Sequence, residues 1–196
     1  MTSRPVQRKA SSTTSDIALV AVFTALVIVL GFVYVPVGVL GVPILLQNTA
    51  VILAALILGP RRGFMVTALF LLIGTFLPVL AGGRTTIFAL GGATVGYIIG
   101  YLIAVPVAGL IAKAAVGKPK GTAIAVFALG GYLGVAIQYI AGAGGMIVRT
   151  GMASHAALAA QLPFIPTDAF EMAVMVAIAS GVHTAFPHLL RGEIRH

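Results

Sequence analysis

Long uncharged runs dominate the pattern of hydrophobic and polar positions along the chain. A helix needs about 20 predominantly apolar residues to cross the hydrocarbon core of a bilayer, and most of these runs fit one crossing. The first run is long enough for two, and its segment 36–43 holds two prolines and two glycines, which end helices. The pattern therefore predicts six transmembrane helices, near residues 17–35, 44–59, 63–79, 90–112, 122–147 and 166–187.

The last connection, 150–167, is also uncharged but is interrupted by Pro163, Pro166 and several hydroxyl-bearing residues. Proline removes a helical hydrogen-bond donor and restricts the residue before it. We therefore expect a re-entrant or surface connection rather than a seventh crossing.

The composition agrees with this pattern. Of the 196 residues, 60% are hydrophobic and 8% are charged, with a mean hydropathy of +1.12. A soluble domain has about 25% charged residues, so this chain has too few charges to cover a surface exposed to water. The predicted fold is an all-α, multi-pass integral membrane protein of the cell membrane.

The residue types disfavour an enzyme. Cysteine is absent, and there are only four acidic residues and four histidines, which excludes disulfides and thiolate metal sites. The metal-binding H-E-x-x-H spacing and the phosphate-binding G-x-x-x-x-G-K-[ST] loop are both missing from the sequence. We expect no cofactor and no metal, and no ATP hydrolysis through such a loop.

The basic residues predict the orientation, because cytoplasmic loops of membrane proteins are enriched in Lys and Arg. With six helices and the N-terminus inside, ten basic residues fall inside and two, Arg84 and Arg149, fall outside. Both termini are then cytoplasmic, with a disordered N-terminus over 1–15, a membrane domain over 16–190 and a tail over 191–196. The net charge of +8 is explained by orientation, so we expect no nucleic-acid partner. The inner residues are Arg4, Arg8, Lys9, Arg61, Arg62, Lys113, Lys118, Lys120, Arg191 and Arg195.

Small residues recur at every fourth position in three of the predicted helices, a spacing that lets two helix backbones approach closely in lipid. We expect the glycines to pack inside the bundle. The alanines of the first helix are open to two interpretations, internal packing or a face presented to another subunit. The residues are Gly92, Gly96 and Gly100, then Gly130 and Gly134, and Ala21 and Ala25.

Three charges outside the inner side are the candidates for chemistry. Arg84 lies between the third and fourth predicted helices, while Asp168 and Glu171 lie three residues apart at the outer start of the sixth. Ionisable groups within a membrane are costly and mark functional sites. The alternative is structural: Asp168 as a helix cap and Arg84 as an interfacial side chain reaching for water. A carboxylate pair is also compatible with an intramembrane enzyme, and a purely structural protein would have no pocket.

Polar side chains on the same side complete a candidate binding pocket. Gln47 and Asn48 begin the second predicted helix, Tyr97 lies near the start of the fourth, and Tyr139 lies within the fifth. A few convergent polar groups in an apolar wall are typical of a small-molecule site. Interhelical hydrogen bonding explains the same residues equally well.

Six segments resemble the BioY family in order and spacing, over about residues 16–188. BioY proteins are the biotin-binding membrane subunits, or S components, of energy-coupling factor transporters. The six segments are 21–25 (AVFTA), 42–47 (VPILLQ), 58–63 (LGPRRG), 77–83 (LPVLAGG), 92–97 (GATVGY) and 164–168 (FIPTD).

The resemblance implies a six-helix S-component fold that captures biotin outside the cell. Uptake then uses a shared transmembrane subunit and two ATPase subunits, with Ala21 and Ala25 docking that shared subunit. The family's aspartate corresponds to Asp168, which would accept hydrogen bonds from the ureido ring, and Arg84 suits the biotin carboxylate. The remaining substrate-binding candidates are Gln47, Asn48, Tyr97, Tyr139 and Glu171.

This chain departs from the family pattern at three positions. Many members read Phe-x-Pro-Gly-Asp-x-x-Lys, where this chain has Thr167 and Glu171, and a proline is common where Ala93 stands. An acid in place of the lysine would repel the ligand's carboxylate. Either Arg84 or Arg149 replaces that lysine, or the ligand is another small vitamin-like anion.

Overall fold

The computed structural model describes residues 8–36 and 43–191. Their regular secondary structure is helical apart from a hairpin in which β1 (Tyr34–Pro36) pairs antiparallel with β2 (Pro43–Leu45). The helices are α1 (Arg8–Gly31), α2 (Leu46–Leu58), α3 (Pro60–Phe76), α4 (Thr86–Gly91), α5 (Val95–Lys113), α6 (Lys120–Thr150), α7 (Ser154–Ala159), α8 (Ile165–Ala185) and α9 (His188–Arg191), with a 3-10 turn at Leu162–Phe164 before α8.

The helical, membrane-type fold expected from the hydrophobic pattern is confirmed. Each of the six predicted segments contains a helix, and within the described residues four stretches are long and apolar enough to cross a membrane. The helix α2 is apolar but shorter. The four stretches are Thr13–Gly31, Val95–Lys113, Lys120–Thr150 and Ser154–Ala185.

Two helix starts differ from the prediction. The helix α1 begins at Arg8, so residues 8–15 are helical where disorder was expected, because extending an existing helix adds one hydrogen bond per residue. Residues 1–7, and 192–196 of the predicted tail, lie outside the described residues. The fourth predicted helix is divided into α4 and α5 at Gly92, since consecutive small, flexible residues from Gly91 to Thr94 oppose a continuous helix.

The helix α2 forms the centre of the bundle. Residues 49–58 are all buried, and α2 packs against α1, α3, α5, α6 and α8. A helix that is apolar on all sides is buried in a protein core or in lipid, and in this structure it is other helices that bury α2. The polar residues at its N-terminal end are therefore held at a fixed place among the surrounding helices.

Glycines set the close packing of α5 on α6. A Cβ on Gly96 would overlap the Ala141 carbonyl, and one on Gly100 would lie 3.1 Å from the Gln138 Cα. Gly130 and Gly134 of α6 likewise lie against Ala108 of α5 and Ile52 of α2. Internal packing is thus confirmed for these four glycines. It is wrong for Gly92, whose added Cβ would meet only α4 carbonyls because the chain leaves the helix there.

Polar contacts at the helix ends define two ends of the bundle. At one end, Arg62 forms an ion pair with Asp16 at 2.5 Å and donates to the Leu189 carbonyl at 3.0 Å. At the other end, Arg149 donates to the Leu90 carbonyl at 2.8 Å, which joins the end of α6 to α4. The two residues predicted outside, Arg84 and Arg149, therefore lie at the end opposite Arg62.

Candidate functional site

A cavity of about 300 Å³ opens at the Arg84 end of the bundle, between α2, α5, α6 and the loop that follows α3. Its volume is at the lower limit of the usual range for small-molecule sites, about 300 to 1,000 Å³. Five of the seven predicted substrate-binding residues line it. The lining residues are Gln47, Asn48, Leu80, Ala81, Arg84, Ala89, Thr94, Tyr97, Ile98, Tyr101, Tyr139, Met146 and Phe164.

Asp168 lies behind the cavity wall and is connected to the cavity through Tyr139. The Tyr139 hydroxyl donates a hydrogen bond of 2.8 Å to Asp168 Oδ2, and Asp168 is 3% exposed. Phe164, and not Asp168, occupies the N-cap of α8, so the structural alternative for Asp168 is wrong. Its position in the first turn of α8 places the carboxylate where the helix dipole favours negative charge.

Asn48 is held by two neighbours. The Tyr101 hydroxyl donates to Asn48 Oδ1 at 2.5 Å, and Gln138 Nε2 donates to the Asn48 carbonyl at 3.3 Å. The Tyr101 bond fixes the side-chain oxygen and the Gln138 bond fixes the backbone, while the side-chain amide N–H groups of Asn48 have no acceptor among the described residues. The Asn48 amide is therefore able to donate hydrogen bonds into the cavity.

Tyr101 is a cavity residue that the sequence analysis missed. It lies four residues after Tyr97 on α5, and residues at this spacing share a helix face, so the spacing is the signal that identifies it.

The Tyr97 hydroxyl donates to Gln161 Oε1, whose amide donates in turn to the Ala157 carbonyl at 3.0 Å. Gln161, in the connection before α8, was also missed, and it orients Tyr97.

Gln47 lines the cavity, but its side chain forms hydrogen bonds with backbone groups of the protein. Its Nε2 donates to the Val27 and Val79 carbonyls at 3.3 and 2.9 Å, and its Oε1 accepts from the Ala81 N–H at 2.8 Å. Gly31 permits this arrangement, because a Cβ there would overlap the Gln47 amide. Gln47 thus ties α1 and the loop after α3 to the start of α2.

Arg84 lies at the mouth of the cavity and is exposed. Two backbone hydrogen bonds close the turn that contains it: the Leu80 N–H donates to the Arg84 carbonyl at 3.0 Å, and the Arg84 N–H donates to the Leu80 carbonyl at 3.2 Å. Within the turn, Gly82 and Gly83 adopt positive φ angles of 76° and 70°, which glycine adopts without steric cost. The guanidinium lies 5.7 Å from the centre of the Phe88 ring. No acidic side chain in the described part of the chain pairs with it.

Glu171 is buried beyond the cavity. It is 3% exposed and accepts a hydrogen bond of 2.8 Å from the Thr49 hydroxyl through Oε2. Its other oxygen, Oε1, has no partner among the described residues. Since α8 runs away from the mouth, Glu171 lies one turn deeper than Asp168 and is not among the lining residues.

The alanines of α1 lie away from the cavity. Ala21 and Ala25 are exposed, whereas Thr24 and Val27 of the same helix are buried against the bundle. The two alanines therefore do not serve internal packing.

Among the described residues, no group of three or more His, Asp or Glu side chains is placed to hold a metal ion.

Comparisons with known proteins agree on one family. The model of the BioY family matches residues 3–188. The chain is 36% identical over 186 residues to "Biotin transporter BioY" of Rhodobacter capsulatus, covering 89% of this chain and 96% of the relative. It is 31% identical over 159 residues to the Thermotoga maritima protein of the same name, covering 81% and 88%. Its fold is similar to the crystal structure of the S-component for biotin from an ECF-type ABC transporter, with a TM-score of 0.76, 27% identity and coverage of 89% and 93%.

Proposed function

The chain belongs to the BioY family, and from this we propose that it is the biotin-binding S component of an energy-coupling factor transporter, a multi-pass protein of the cell membrane. The relatives are transporters and not enzymes. The observation that carries the proposal is the arrangement of the cavity, with the Asn48 amide in its lining, the Asp168 carboxylate behind the wall at Tyr139, and the Arg84 guanidinium at its mouth.

The inner end suits the ureido ring of biotin, which has two N–H donors and one carbonyl acceptor. A carboxylate offers only acceptors, and Asp168 Oδ1 has no donor among the described residues. With the ligand seated against Tyr139, Asp168 then accepts from a ureido N–H from behind the wall, while the Asn48 amide donates to the ureido carbonyl. Tyr139 holds the Asp168 carboxylate in place, and Tyr97 completes the wall.

The mouth suits the biotin carboxylate. Arg84 has no acidic partner in the described structure, and a guanidinium binds a carboxylate through two parallel hydrogen bonds. Glu171 lies at the opposite, deeper end, so it does not meet the ligand's carboxylate directly. We therefore assign the role of the missing family lysine to Arg84, and we assign to Gln47 the positioning of the cavity wall.

Orientation and assembly complete the proposal. Six helices, α1, α2, α3, α5, α6 and α8, cross the membrane with both termini inside, over a membrane domain of 16–190. The exposed Ala21 and Ala25 dock the shared transmembrane subunit, and two ATPase subunits supply the energy. Support comes from the placement of Arg84 and Arg149 at the end opposite Arg62 and from the positive-inside tendency.

Equilibrium binding of labelled biotin to the purified protein in detergent tests the ligand. We expect tight, saturable binding that falls by two orders of magnitude or more in Asp168→Asn, because a neutral amide replaces the charged acceptor. Asp16→Asn is the matched control, since Asp16 pairs with Arg62 at the other end of the bundle. Absence of biotin binding to the folded protein, or equal loss in both variants, would contradict the proposal.

A further inference from the structure

A second cavity, of about 330 Å³, lies at the end of the bundle opposite the candidate biotin site. It is formed by the connection between α5 and α6, the first turn of α6 and the last turns of α8. Its lining includes two lysines and two hydroxyl-bearing residues, and its floor is apolar. Nothing in the proposed binding of biotin uses this inner cavity.

The rim of the inner cavity is positively charged. Lys118 and Lys120 flank Pro119 at the start of α6, and neither side-chain ammonium group has a hydrogen bond or ion pair among the described residues. No side chain caps this end of α6, so its first N–H groups and the positive end of its dipole add to the charge. Within the described part of the chain, the lining contains no acidic residue.

A hydroxyl group lines the inner cavity and has no partner among the described residues. Ser180 is 8% exposed and lines the cavity, yet its side chain has no hydrogen bond in the described part of the chain. His183 does not satisfy it, because its Nε2 lies 2.8 Å from the Leu56 carbonyl and its ring stacks on Phe127 at 5.0 Å. Ser180 is thus free to donate to an acceptor oxygen of a ligand.

We propose that the inner cavity binds the phosphate headgroup of an anionic phospholipid. Lys118, Lys120 and the Ser180 hydroxyl surround a phosphate, while Phe127 and Leu190 form a buried apolar floor for the first part of the acyl chains. A free inorganic anion has no apolar part to place on that floor. Basic pockets between helices at the cytoplasmic side of a membrane are typical sites for anionic headgroups.

Native mass spectrometry of the detergent-purified protein tests the lipid site. Phosphatidylglycerol and phosphatidylcholine with identical acyl chains are added separately, and the bound fraction is measured. We expect phosphatidylglycerol to be retained and Lys118→Gln/Lys120→Gln to weaken it roughly tenfold. Arg61→Gln/Lys113→Gln removes the same charge at the same end outside the inner cavity, and it should retain the lipid.

Ser180→Ala separates a specific site from general attraction between charges. It leaves the net charge unchanged and removes only a hydroxyl that lines the cavity, so it should keep the native melting temperature and bind phosphatidylglycerol several-fold more weakly. Equal retention of the two lipids, equal loss in the Arg61/Lys113 control, or unchanged binding in Ser180→Ala would each overturn the proposal. Displacement of the lipid by millimolar inorganic phosphate would assign the cavity to a free anion instead.

Discussion

The hydrogen bond between Tyr139 and Asp168 gives the sharpest test of the biotin site. Tyr139→Phe keeps the ring that lines the cavity and removes the hydroxyl that donates to Asp168 Oδ2 at 2.8 Å. Asp168 then remains in a site that is 3% exposed, but its carboxyl group loses the donor that orients it toward the ligand.

The magnitude follows from the type of bond. A hydrogen bond to a charged group contributes about 1.5 to 3 kcal/mol, and each 1.4 kcal/mol changes affinity tenfold. We therefore expect Tyr139→Phe to bind biotin roughly 10- to 100-fold more weakly. Isothermal titration of the purified variants with biotin measures this ratio, and thermal unfolding confirms that each variant is folded.

Tyr132 supplies the matched control. It lies on the same helix, α6, and its hydroxyl donates to the Ala169 carbonyl of α8 at 2.9 Å, but it does not line the cavity. Tyr132→Phe removes an equivalent bond between the same two helices and should leave biotin affinity unchanged. The reasoning is refuted if Tyr139→Phe binds biotin normally, or if both variants weaken binding equally, which would indicate only looser packing of α6 on α8.

Three further predictions concern other parts of the molecule. Arg84→Gln should weaken biotin binding about tenfold while leaving the affinity for biotin amide unchanged, and equal loss for both ligands would exclude contact with the carboxylate. Gly96→Ala should destabilise the protein by about 1 to 3 kcal/mol, because its Cβ would overlap Ala141, whereas Gly144→Ala has open space and should be neutral in a thermal unfolding assay. Ala21→Trp should abolish co-purification with the shared transmembrane subunit and spare biotin binding, so survival of the complex would show that this face is not the contact.

The helices were predictable from the sequence because membrane insertion depends on the length and polarity of each run. The break before α5 was not predicted, since Gly92 is compatible both with packing inside a helix and with ending one. Whether a small residue packs depends on its neighbours in space. Gly96 meets the backbone of α6, whereas Gly92 meets only its own segment.

The candidate site was predictable as a set of residues but not as a set of roles. Polar residues near one end of an apolar bundle tend to converge, and most of the predicted ones line the cavity. The hydrogen bond from Gln47 to the Val79 carbonyl depends on how the loop after α3 folds back over α2. The spacing of residues along a helix does not predict such a contact. The depth of Glu171 depends on the rotation of α8, and its partner Thr49 lies on a helix distant in sequence.

The short central helix has a consequence for how the protein is made. With 13 residues, α2 is about 20 Å long at 1.5 Å per residue, whereas the hydrocarbon core is about 30 Å thick. Such a segment is too short to cross the hydrocarbon core by itself, and in the folded protein other helices bury it. We expect α2 to enter the membrane together with its neighbours during synthesis. Substitutions that slow the packing around α2 should then lower the yield of inserted protein, even where the affinity of the surviving molecules is normal.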